Sequence, residues 1–169
     1  MSIFNKVLQE HQKQQAEKAS AKASMEAKNM EERARFKDHF SSESSKVAKP
    51  LFEEFVLDAI KAGYPASIEE GTDGHGYPYI LIRFIPYLGA KLGAEPSKEC
   101  VFQLKAILTT QRVEHATYFD QRVGKDGAKN ETFGSESINT PVLERELSEF
   151  LSLSLNARDS AQQSIRQIH

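Results

Sequence analysis

Residues able to do chemistry cluster in a glycine loop and in the segments that follow it. Gly71-Thr72-Asp73-Gly74-His75-Gly76 sets a carboxylate and an imidazole among three glycines, which permit close approach to the backbone. A phosphate loop requires GxxxxGK[ST] leading into a helix, and neither the spacing nor a helical pattern is present here. The segment therefore reads as a hairpin turn whose glycines supply positive φ. Asp73, His75, His115 and Asp120 make a metal-ligand set on paper, but no HxH, HExxH or CxxC spacing draws them together. His115 alternates with Val113, Thr117 and Phe119 and reads as lining one sheet face. Cys100 opens the apolar run Cys100-Val101-Phe102 and reads as a small buried hydrophobe rather than as a nucleophile paired with His115. No GxSxG occurs. The expectation is no catalytic centre, no metal and no cofactor.

A second set carries positive charge. Arg83, Lys105, Arg112 and Arg122 fall on strands or their turns, with Tyr79 and Tyr118 near them. Aromatic rings beside Arg or Lys on an exposed sheet can stack single-stranded bases. Against this stands the overall charge, 22 Lys and Arg against 24 Asp and Glu, which lacks the footprint of a nucleic-acid binder. Nucleic acid is the alternative partner, not the favoured one.

The elements that position these residues follow from periodicity. Phe52, Phe55, Val56, Ala59 and Ile60 make a helical stripe over 50–62. Glu53 and Glu54 are expected in its first turn and Lys61 in its last, as the helix dipole prefers. Gly63 and Pro65 end it. Strands are expected over Ala66–Glu70, Tyr79–Ile85, Val101–Leu108, Val113–Val123 and Lys129–Phe133, with Asp126-Gly127 as a two-residue hairpin turn. Thr140 is the expected cap of a last helix, with Pro141 at its first position and Leu143, Leu147, Phe150, Leu151 and Leu155 as its apolar stripe. The predicted fold is α+β: a long N-terminal helix, a second helix, a four- to five-stranded antiparallel sheet and a C-terminal helix.

The start of the chain is different in kind. No Pro occurs before Pro50 and no Gly before Gly63, and Ala, Lys, Glu and Gln dominate. Residues 1–46 carry nine Lys and Arg against seven Asp and Glu, a net of +2, and residues 47–169 carry thirteen against seventeen, a net of −4. Ile3/Val7 and Phe4/Leu8 are i,i+4 pairs, and Ala16, Ala23 and Met30 recur every seven residues. A 40-residue helix spans about 60 Å. Lys13, Lys18, Lys22 and Lys28 alternate with Glu17 and Glu26, the pattern of a solvated helix rather than a phosphate clamp. The expected division is an extended helical arm over 1–46 and an α+β domain over 47–169.

Hydrophobic residues make up 39%, and the most apolar stretch, Pro78 to Ala90, contains Arg83 and Pro86, so no membrane span is expected. The N-terminus turns polar by Gln9, without the apolar run of a signal peptide. One cysteine excludes an intrachain disulfide and fits the cytoplasm. The element order is similar to that of dimeric secretion chaperones, but the helix those proteins place between strands has no counterpart between Val101 and Val123. The likeness is one of order alone, and no family is assigned. The function expected is non-enzymatic: oligomerisation, or docking to another protein, through Phe4, Val7, Leu8, Ala16, Ala23 and Met30.

Overall fold

The computed structural model describes residues 2–168, with side chains through Gln163. Met1 and His169, the outer ends of the two expected domains, lie outside the described residues. The chain divides into two compact units, Met1–Phe36 and Lys37–His169. Helix α1 runs Ile3–Glu43, as a stretch without Gly or Pro predicts. Every residue from Ser2 to Glu31 is exposed. Phe40 and Ser44 belong to the buried residues of the second unit.

Between the two expected helices the chain changes its winding rather than breaking. A π-helical turn covers Ser44–Ala48, and the Lys49 N–H bonds to Ser44 O, five residues back. Helix α2, Lys49–Lys61, follows directly. Pro50 gives the physical reason. It offers no N–H, and its ring crowds the carbonyl four residues earlier, so the turn before it widens. Because the helix does not start afresh, Glu53 and Glu54 face no free N-terminus, and the dipole stabilisation expected of them is absent. The other end matches expectation. Gly63 adopts φ 96°, Tyr64 N–H bonds to Ala59 O and Gly63 N–H to Ile60 O, a closing pattern that only glycine enters without strain.

Five strands form one antiparallel meander in the order β1-β2-β3-β4-β5. They are β1 Ala66–Thr72, β2 Pro78–Phe84, β3 Cys100–Ile107, β4 Arg112–Tyr118 and β5 Ala128–Phe133. Strand β4 stops short of the expected Val123. The Asp120 carboxylate accepts the Arg122 N–H and starts a 3-10 turn over Gln121–Gly127. Asp126-Gly127 is therefore not a two-residue hairpin. Phe119 and Asp120 both donate their N–H to Gly127 O, which closes a longer loop. Glycine is required there for room: a Cβ at Gly127 would lie 1.8 Å from Asp120 O.

Helix α3 spans Thr140–Ile168. Its cap is Asn139 rather than Thr140. The Asn139 side chain accepts the Val142 N–H at 3.0 Å, and its carbonyl accepts the Leu143 N–H, so Thr140 already lies inside the first turn. Helices α2 and α3 pack on one face of the sheet through phenylalanines. Ring centroids lie 5.8 Å apart for Phe52–Phe102, 5.6 Å for Phe55–Phe84, 6.0 Å for Phe102–Phe150 and 6.1 Å for Phe84–Phe150. Leu104, Val113 and Leu143 are fully buried beside them.

Phe150 touches rings from α2, β2 and β3. Phe150→Ala is expected to remove about 3–5 kcal/mol of stability, read from the shift of a urea unfolding curve.

Candidate functional site

The arm residues singled out by pattern lie on α1, all solvent-facing. Phe4 is 79% exposed, Val7 60%, Leu8 60% and Met30 71%. Ala16 and Ala23 are exposed as well. Helical geometry stacks Ile3 on Val7 and Phe4 on Leu8, one turn apart, so these four make a continuous apolar end. Ala16, Ala23 and Met30 make a separate narrow seam, and the nine residues from Val7 to Ala16 carry it about half a turn round the helix from Val7.

Strand register decides the second set. Tyr79 pairs with Lys105, Arg83 with Val101, Val101 with Tyr118 and Ile107 with Arg112. Tyr79, Arg83, Lys105, Arg112 and Tyr118 therefore share the sheet face opposite to α2 and α3. Arg122 does not join them. It sits on the 3-10 turn, grips Asp120 through Nε at 3.0 Å and Nη2 at 2.8 Å, and donates to Ala157 O.

The cations on that face have partners that the pattern reading passed over. Arg83 lies 3.3 Å from Glu69 and 3.5 Å from Glu99. Lys105 lies 3.3 Å from Asp73 and 3.9 Å from Glu114. The Tyr79 hydroxyl donates to Glu69 at 3.0 Å, and that bond pushes the phenol pKa above its ordinary value. The Arg112 guanidinium donates to Thr132 O. A signal for this was present: Glu69 and Glu114 fall on the same strand parity as the cations once the strands are paired.

The glycine loop is the turn between β1 and β2, and Asp73 organises it. Its Oδ1 accepts N–H bonds from His75 at 2.9 Å and Tyr77 at 3.0 Å. The Tyr77 bond first, then the His75 bond and Lys105, hold its carboxyl below the usual range. Asp73 thus faces its own loop and Lys105, Asp120 faces Arg122, and His115 lies elsewhere. Among the described residues, no group of three or more His, Cys, Asp and Glu is placed to hold a metal ion.

His115 is buried on β4, on the helix-covered face, within a polar chain that spacing did not reveal. Its Nδ1 lies 2.6 Å from Glu146 Oε2 on α3, and its Nε2 lies 2.8 Å from Ser137 Oγ. The order Glu–His–Ser resembles an acyl-transfer relay, but the hydroxyl is committed elsewhere. Ser137 Oγ donates its proton to Gly134 O at 2.8 Å, and Ser137 itself is buried. The chain ties β4 to the turn before α3 and to α3 itself, and presents no activated nucleophile.

Cys100 is not beside His115, whose partner on β3 is Leu104. Its thiol donates to Phe119 O at 3.4 Å, and burial pushes its pKa up to about 11. Among the described residues no helix is long and apolar enough to cross a membrane. Comparison with family models, curated proteins and solved structures finds no match to this chain.

Folding holds the Cys100 thiol neutral up to about pH 11, whereas the unfolded thiol ionises near 9. Its contribution to stability is therefore whole below pH 9 and lost as pH rises through 11. Cys100→Ala is expected to remove that part of the alkaline decline, measured by urea unfolding across the window. At pH 8 a thiol-specific disulfide reagent should react with the native protein only at the rate of unfolding. Immediate full reaction would contradict the burial.

Proposed function

We propose that this chain is a non-enzymatic assembly protein that binds a second copy of itself through α1. The observation that carries the reading is the exposed helical run from Ile3 to Glu31, which begins with Ile3, Phe4, Val7 and Leu8 on adjacent turns. Burying each of these side chains is worth roughly 1.5–3 kcal/mol, and a second chain supplies that burial. Ala16, Ala23 and Met30 have coiled-coil spacing but lie on another face of the helix and offer little area. The non-enzymatic part rests on Asp73, Cys100, His115 and Asp120, each occupied by an internal partner. The single cysteine supports a cytoplasmic location.

The alternative is a single-stranded nucleic acid on the sheet face, with Tyr79 and Tyr118 as stacking platforms. Phosphates there would have to displace Glu69, Glu99, Asp73 and Glu114 from Arg83 and Lys105, which weighs against it.

Light scattering on the full chain should give at least twice the 19.0 kDa monomer mass. The doubly substituted Phe4→Glu, Leu8→Glu chain should run as a monomer whose unfolding midpoint matches that of wild type diluted to the monomer, because both side chains are solvent-facing within one chain. A wild-type monomer at high micromolar concentration, or an unchanged oligomer in the variant, would overturn the reading. Retention on single-stranded DNA at low salt, weakened by Arg83→Ala with Arg112→Ala, would favour the alternative.

A further inference from the structure

We infer that the groove between α2 and α3 of one copy receives the Ile3–Leu8 end of α1 from a second copy. This rests on the self-association reading above and names the receiving surface. Between the two helices lie adjoining cavities of about 280 and 200 Å³ that share Phe55, Asp58 and Leu151. Phe55, Leu151 and Leu155 form the floor and are only half-buried, so their outer surfaces face solvent. Glu54, Asp58 and Glu144 edge the groove, and no Lys or Arg lines either cavity among the described residues. An apolar floor under an acidic rim fits an amphipathic helix that has apolar anchors one turn apart and positive charge beside them.

The Ile3–Leu8 end has that chemistry. Its anchors stand at i, i+1, i+4 and i+5, Lys6 lies among them, and the first acid is Glu10. Anchors and floor are both solvent-facing within one chain. Each copy therefore offers one apolar helix end and one groove of opposite charge. Reciprocal exchange between two copies closes a two-fold dimer, and a one-way contact repeated head to tail continues as a chain.

Cross-linking tests the contact without disturbing the core. Leu8→Cys and Leu151→Cys are made in separate full-length chains, mixed, and oxidised. Cys100 stays silent because it is buried and its pKa is about 11. The expected result is a disulfide-linked pair that forms in the mixture and is lost from either variant alone. Leu151→Glu should abolish the oligomer as well. Cross-linking of the Leu8→Cys variant to itself at the yield of the mixture would overturn the groove while leaving self-association intact, with the contact moved to α1 against α1. A monomeric wild-type chain by light scattering would remove both the groove and the reading beneath it.

Discussion

The contact that the rest of the Lys37–His169 unit depends on is the phenylalanine layer between two helices and one sheet face. Phe52 and Phe55 come from α2, Phe84 and Phe102 from the sheet, and Phe150 from α3. No tryptophan is available to do this with fewer residues. The rings meet mostly edge to face or tilted, which aromatic quadrupoles favour. Phe55 has two roles. One side of its ring meets Phe84 and Phe150, and the other floors the groove between α2 and α3. The core and the proposed docking surface are thus the two sides of one residue.

Helices on one side leave the other sheet face to its own devices. Its cations and carboxylates cross-pair: Arg83 between Glu69 and Glu99, Lys105 between Asp73 and Glu114. Partly exposed pairs of this kind add at most about 1 kcal/mol each. Their larger effect is on what the face attracts, since Arg83 and Lys105 are already shared with acids. On the covered face the polar chain through His115 does the opposite job. It satisfies a buried imidazole and pins the last strands to α3.

Much of this was legible in the sequence. Alternating and β-branched runs placed β1 to β3 within two residues and the start of β4, and the helical stripes named Phe52, Phe55, Leu143, Leu147 and Phe150. What was not legible depended on long-range partners. The sequence reads as two separate helices, yet a π-helical turn over Ser44–Ala48 joins α1 to α2 without a break. Asp126-Gly127 reads as a hairpin turn, yet Asp120 captures the loop earlier and Gly127 serves close approach. His115 meets Ser137 and Glu146, 22 and 31 residues away, and no local spacing announces that. The charge pairing on the sheet face appears only when strand register is known.

The arm was legible by what it lacks, Gly and Pro, and by Ile3, Phe4, Val7 and Leu8 at its start. A polar helix of this length frays in water unless something packs on it. Amide hydrogen exchange across residues 3–31, measured over a range of protein concentrations, reads that directly. Self-association predicts protection that rises with concentration and is strongest in the first hydrogen-bonded turn, from Lys6 onward. Exchange that is equally fast at every concentration would contradict it.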